Sequence, residues 1–354
     1  MPIDTFDYEL MLRKEVRTMS NALPRRWSAA VLAAAATLAV AGCGGDAESA
    51  EPAPRIDTAF ELPGDRVYPE GIAADERNGD VYVGSFADGT IYRAAAGTER
   101  AEVFLPSGTD GRETANGLRV DADRRLWVLD STTGVAVYDI ASRALIARFD
   151  VAGDGDRFVN DIVVTADSTA YLTDSRSAVV YRVTPDDLTR AMGQGGRGEL
   201  TPAFDVNPAL EPHAPDAYTL NGITADSAGT YLLVVDSTGG DLYRVDLTAE
   251  TRSPIRKVTL NGGDVSMGDG LDLHDTTLRV AHNVHNTLSS WTLTDNGATA
   301  TRTDILTDES LATPTTLVHF DERTLVVSSQ FDKGGPLGSG TPTTPFRVVT
   351  ASGI

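Results

Sequence analysis

Five oxygen-bearing residues stand at the opening of short apolar runs: Glu70, Asn116, Asn160, Asn221 and Asp269; Pro314 opens a sixth. Brought onto one axis, such carboxylates and carboxamides would repel one another or go unpaired unless something satisfied them. A hard cation does this, and calcium takes six to eight oxygen ligands. Glu70 and Asp269 would supply charge, and Asn160 and Asn221 neutral carbonyl oxygens. Zinc fits less well, because no two histidines share a face with a third ligand. His282 and His285 lie three apart at a predicted strand end and point different ways. Manganese and zinc remain the alternatives to calcium. Asn116 and Asn221 also have a plainer reading, since Asn-Gly is the commonest tight-turn dipeptide. Each, however, precedes a strand after a coil and does not join two strands through a two-residue loop.

The elements that would position these residues repeat. About ten residues after each opening comes a second run, among them Val81-Tyr82-Val83, Leu126-Trp127-Val128 and Leu232-Leu233-Val234. A third follows after a turn, as in Thr90-Ile91-Tyr92, Val179-Val180-Tyr181 and Asp241-Leu242-Tyr243. The runs are rich in Val, Ile, Leu and Tyr and bounded by Asp, Gly, Asn or Thr, which is strand and hairpin chemistry. No window carries a long 3.6-residue apolar stripe, so helices should be scarce. Openings recur mostly every 45 residues or so, a spacing that reads as four-stranded propeller blades. The longer step from Asn160 to Asn221 is read as an insertion, Pro185 to Pro215, between blades three and four.

Fourth strands are expected near Ala101–Leu105, Leu145–Phe149, Ile255–Val258 and Thr303–Leu306. The sixth repeat ends after its third run. Ile56–Leu62 has the pattern to pair there and close the ring, removing its open edges. The expected fold is therefore all-β, a six-bladed β-propeller over residues 55–354 closed by an N-terminal strand joining the last blade.

In a propeller the first strand of each blade lines the central channel, and the end of the second strand returns to the face where the first began. The second-strand ends are Ser85, Asp130, Asp174, Asp236, His282 and Ser329. With Asn116, the residues Asp130, Asp174, Asp236 and His282 are the expected pocket lining. His282 has a possible acid–base role beside its plainer one as a satisfied structural group. His213, in the insertion, is a candidate for a lid.

Composition limits the partners. The net charge of -21 offers no basic stripe for nucleic acid and disfavours adsorption to anionic lipid. Acidity of this kind is first of all a solubility feature. The single cysteine, Cys43, permits neither an intrachain disulfide nor a thiolate cluster. Arg25 and Arg26 precede the apolar run Ala29–Val40, which ends in Val40-Ala41-Gly42-Cys43. That is the order of a secretory signal, too short to span a bilayer as a stable helix. Its end resembles the bacterial lipobox, in which the cysteine is lipidated. Residues 1–43 are thus expected to be an export signal with Cys43 acylated, translation starting at Met19. Residues 44–54 would form a flexible tether. The protein would sit on the outer face of a bacterial cell membrane, held only by its lipid, or be secreted. Arg25-Arg26-Trp27 leaves the twin-arginine and general export routes both open.

The ordered set Glu70, Asn160, Asn221 and Asp269 resembles the senescence-marker-protein-30, gluconolactonase and luciferin-regenerating-enzyme family, with paraoxonase and strictosidine synthase as distant cousins. The resemblance covers Ile56 onward. It implies a six-bladed propeller with a metal held by a Glu opening blade one, Asn residues opening blades three and four, and an Asp opening blade five. There are departures. Closer members carry Arg-Phe-Asn-Asp in blade three, with the Arg reaching substrate, whereas Arg157-Phe158-Val159-Asn160-Asp161 has one residue more. Gly71-Ile72-Ala73 replaces the family's Gly-Pro-aromatic run, and Asn116 is an added polar group. The implied activity is metal-dependent hydrolysis of a small ester or lactone at the channel, with Asp269 as ligand and as base or nucleophile. The alternatives are a non-catalytic propeller with a structural calcium ion, binding a small molecule, and a carbon–carbon bond former of the strictosidine-synthase kind. The last wants a catalytic Glu, for which blade six offers no candidate.

Overall fold

A computed structural model describes residues 54–249 and 254–354. The export signal, Cys43 and nearly all of the tether lie outside the described residues. Strands form six sheets of four or five strands each, arranged as blades around one axis. The first strands are Pro69–Asp75, Leu118–Val120, Val159–Val164, Leu220–Ala225, Gly268–His274 and Pro314–Phe320. Neighbouring first strands pack against each other around the channel.

The hydrophobic core is divided into wedges, one between each pair of adjacent blades. Inner strands are therefore covered on both faces, and runs such as Tyr231–Asp236 are buried at every residue. This is why those segments read as continuous apolar runs and not as an alternation. Closure is as expected: Arg55–Leu62 pairs antiparallel with Phe346–Ser352 as the outer strand of blade six. Thr315 Oγ1 of blade six donates to the Glu70 carbonyl of blade one at 2.8 Å, tying the last blade to the first at the channel.

The longer step between blades three and four differs from a simple insertion. Its Thr201–Asp205 segment is the outer strand of blade three itself, pairing with Val179–Val183. Before it come the helix Pro185–Gly193, begun by a Thr184–Asp187 capping box, and the strand Arg197–Glu199. That strand crosses to blade two and runs parallel to Leu145–Asp150 on its outer edge. Thr259–Asn261 covers the edge of blade five in the same way. Among the described residues no helix is long and apolar enough to cross a membrane.

Candidate metal centre and its aromatic mouth

The residues that open the first strands meet at one cavity. Glu70, Asn116, Asn160, Asn221 and Asp269 line it together with Phe86, Phe158, Tyr218, Asn283, Phe331, Pro336 and Leu337. A β-bulge aims them there. In blade one Pro69 faces Ser85 and Ile72 faces Val83, so Glu70 and Gly71 together oppose one residue. The same two-against-one step recurs between Val159 and Ile162, Leu220 and Ile223, and Gly268 and Leu271. A bulge breaks the strict alternation of a strand and re-aims a side chain.

The residue after the opener must then be small, because the next blade's backbone lies against it. A Cβ on Gly71 would sit 2.1 Å from the Asn116 carbonyl oxygen, and one on Gly222 2.2 Å from that of Asp269. The glycine of each Asn-Gly pair serves this close approach, not a hairpin turn. Blade three carries Asp161 at this position. Its carboxylate accepts from the backbone N–H of Ile162 at 2.8 Å and, across to blade four, of Ile223 at 3.3 Å.

The cavity floor is short of donors. Glu70 Oε2, Asn116 Oδ1, Asn160 Oδ1 and Asn221 Oδ1 are buried without a hydrogen-bond partner. Asn160 Nδ2 donates to Ser175 Oγ at 2.9 Å, which directs the carboxamide oxygen away from that contact. Asn283 Nδ2 donates to Asp269 Oδ2 at 3.0 Å, and Asn221 also hydrogen-bonds Asp269. Burial is the main reason that Asp269 is pushed up to about 8, with Asp161 adding repulsion and the two Asn bonds opposing it. Burial, then Asp269 and Asp161, raise Glu70 well above the usual carboxylate range. Four orphaned oxygens around two carboxyls that resist ionisation form a cage wanting positive charge. No three His, Cys, Asp or Glu side chains cluster as metal ligands among the described residues. The groups that could hold an ion are instead two carboxyls and three carboxamides, a set of hard oxygens that would suit calcium more than zinc.

The expected outer ring is placed differently. Asp130, Asp174, Asp236 and His282 do not line this cavity. The Asp carboxylates serve the turns into the third strands, and of these three only Asp174 keeps an oxygen, Oδ2, buried and unpartnered. Asp130 accepts from the N–H groups of Glu113 and Thr132, Asp174 from those of Phe158, Arg176 and Ser177, and Asp236 from that of Gly239. His213 Nε2 lies 2.7 Å from Asp236 Oδ2, so the insertion's histidine pins its segment to blade four. His282 is buried; its Nδ1 donates to the Ser266 carbonyl at 2.9 Å and its Nε2 accepts from Ser289 Oγ at 2.7 Å. Both nitrogens are engaged, as in the plainer reading of this residue.

Side chains alternate along a strand, so the residue one place further on points the other way. Those residues include Phe86 and Asn283, which line the cavity, and Ser175, which bonds Asn160. The repeated Asp-Ser openings at 130, 174 and 236 are the signal that these aspartates form turns. Arg157 is turned away: Nη1 and Nε donate to the Val151 and Gly155 carbonyls at 3.1 and 3.0 Å, and Nη2 donates to that of Gly153. Phe158 takes the place at the cavity.

A profile described as the SMP-30/Gluconolactonase/LRE-like region matches residues 67–330. No curated protein matches the chain at a significant level. Among solved structures, a gluconolactonase from Xanthomonas campestris is 17% identical, with 84% of this chain and 89% of that one covered and a TM-score of 0.55. The Malassezia sympodialis allergen Mala s 1 is 16% identical, covering 86% and 97% at a TM-score of 0.58. Virginiamycin B lyase from Staphylococcus aureus is 12% identical, covering 85% and 100% at 0.52. At these identities the structural likeness establishes the propeller fold. The profile spans most of the chain, and on it this protein belongs to the SMP-30/gluconolactonase/LRE-like family.

Proposed function

We propose that the protein is a metal-dependent hydrolase of the lactonase or esterase type, acting on a small ester or lactone at the central channel. The observation that carries this is the convergence of Glu70, Asn160, Asn221 and Asp269 on one cavity, with buried oxygens left unsatisfied. These four would hold a divalent cation, calcium in the first place, and Asn116 would add a fifth oxygen. A bound ion would polarise the substrate carbonyl and steady the developing oxyanion, worth several kcal/mol. Asp269 would take the proton of the attacking water. Its hydroxyl adds to the acyl carbon, the acyl C–O bond breaks, and the proton ends on the leaving alkoxide. Asn283 holds the Asp269 carboxylate in place through its Nδ2 donor.

The test is hydrolysis of aryl esters and a lactone panel by calcium-loaded protein. Turnover should vanish on chelation and in Asp269→Asn. Hydrolysis that survives both changes would exclude the proposal. The second reading, a binding propeller with a structural ion, has its own support. The cavity volume is only about 70 Å³, room for an ion and a few waters, so a larger molecule would have to leave most of itself at the open mouth. Saturable calcium binding without turnover of any substrate would select it. We further propose export and acylation at Cys43. Loss of membrane retention in Cys43→Ala, with no acyl mass on the mature chain, is the corresponding check.

A further inference from the structure

The cage supplies polar contacts at the floor of the cavity, and the wall above it is of the opposite kind. Phe86, Phe158, Tyr218, Phe331, Pro336 and Leu337 make it. The rings form a connected collar: Phe86 lies 5.3 Å from Phe331 and 6.3 Å from Phe158, and Phe158 meets Tyr218 edge-on at 5.2 Å. They come from the loops of blades one, three, four and six and form an arc along the mouth, while blades two and five contribute Asn116 and Asn283 to the lining.

The blade-six part is built in advance. It lies between the strands Arg323–Ser328 and Phe346–Ser352. Leu337 N–H donates to the Phe331 carbonyl at 3.0 Å, the Tyr68 hydroxyl to the Lys333 carbonyl at 3.0 Å, and the Gln330 carboxamide pairs with the Thr343 backbone through two bonds of 2.8 Å. Two arginines near this rim are engaged with other groups. Arg157 is bound to the 151–155 loop, and Arg176 lies over the Tyr218 ring at 5.0 Å with its guanidinium on Asp156.

A substrate whose carbonyl reaches the cage must lay the rest of itself against this collar. A polyhydroxylated ring would set several hydroxyls against aromatic carbon and leave them unpaired. An alkyl chain or aryl group loses no hydrogen bond there and gains apolar contact. We propose that this chain selects lactones and esters carrying an aryl or medium-length alkyl group, and discriminates against sugar lactones. The inference rests on the hydrolase reading, but the collar can be tested apart from it.

The experiment compares kcat/KM for γ-butyrolactone, γ-hexalactone, γ-decalactone and glucono-δ-lactone on the calcium-loaded protein. Calorimetry runs beside it with the γ-lactam bearing the γ-decalactone chain, which is not hydrolysed. The expected result is a rise of at least about tenfold from the four-carbon to the ten-carbon lactone, with the sugar lactone below both. In Phe158→Ala and Phe331→Ala the ratio of long to short substrate should fall by about tenfold, and lactam binding should weaken to match. Phe158→Leu should keep most of the ratio, and an unchanged calcium affinity certifies that each variant is folded. A flat series, a preference for the sugar lactone, or lactam binding indifferent to Phe158 and Phe331 overturns the proposal. If no lactone is turned over, the hydrolase reading fails. Lactam affinity that still depends on the two rings would then uphold the apolar collar, and its absence would sink it.

Discussion

The two ends of the central channel are built from the same six strands and are chemically unlike. At the bulged end, carboxylates and carboxamides crowd a small cavity with their oxygens unsatisfied. At the other end a cavity of about 580 Å³ is also lined with acids, among them Asp75, Asp121 and Asp272. There most are answered from within the protein. Asp75 meets Arg124 at 2.9 Å, and Asp121 meets Arg125 at 2.6 Å and Trp127 Nε1 at 2.8 Å. Asp272 is the exception, with Oδ2 buried and unpartnered near Arg119. Acidity alone therefore does not mark the site. What sets the bulged end apart is that several unpartnered oxygens, Glu70 Oε2 and those of Asn116, Asn160 and Asn221, share one cavity with no cation beside them among the described residues, whereas the lone Asp272 Oδ2 has Arg119 and Arg279 near it.

The sharpest test of this contrast uses one strand. Asp269 and Asp272 lie three residues apart on Gly268–His274 and serve opposite ends. Asp269→Asn should weaken calcium binding on the order of a hundredfold by removing ligand charge, whereas Asp272→Asn should leave it within about twofold. Equal losses in calorimetry would erase the distinction. Next in size is the response to chelation. Removing divalent ions should lower the stability of the native protein by about 2–3 kcal/mol at calcium a hundredfold above its dissociation constant. Thermal unfolding of Asp269→Asn should be indifferent to chelator.

At the far end, Arg124→Ala strands the buried Asp75 carboxylate and should cost about 1–3 kcal/mol in urea unfolding. Calcium affinity should not move, because that end binds no ion in this reading. The smallest effect is one of pH. Burial lowers the pKa of His282, so the folded protein keeps it neutral while the unfolded chain protonates near 6.5. Stability should thus decline as pH falls below about 6.5 and level off once the lowered folded value is passed. His282→Asn should lose that part of the slope, and an unaltered profile would show that its buried bonds to Ser266 and Ser289 do not hold it neutral.

Much of the propeller was legible because inner strands covered on both sides must be apolar throughout, and turns between them must not be. That Glu70, Asn160, Asn221 and Asp269 would share one cavity was legible for a related reason: each stands where a coil enters a strand. Two things were hidden. The outer strand of blade three sits beyond a helix and a strand lent to blade two, so its spacing from Val179–Val183 carries no repeat. The outer ring was misjudged by one place, because the bulge and the alternation along the second strand together decide which neighbour faces the axis. His282 was counted where Asn283 lines the cavity, and beside Asp174 it is Ser175 that bonds Asn160.

The closing strand also shows on which side of the disc the chain enters. Leu62 pairs with Phe346 and Arg55 with Ser352, while Arg347 faces Ser328 at the end that carries the cage. The chain therefore enters the disc at Arg55, on the side away from the aromatic mouth. Were Cys43 acylated, as its surroundings lead us to expect, the lipid would tie down the rear of the disc. The aromatic mouth would then lie on the face of the disc opposite the point of attachment.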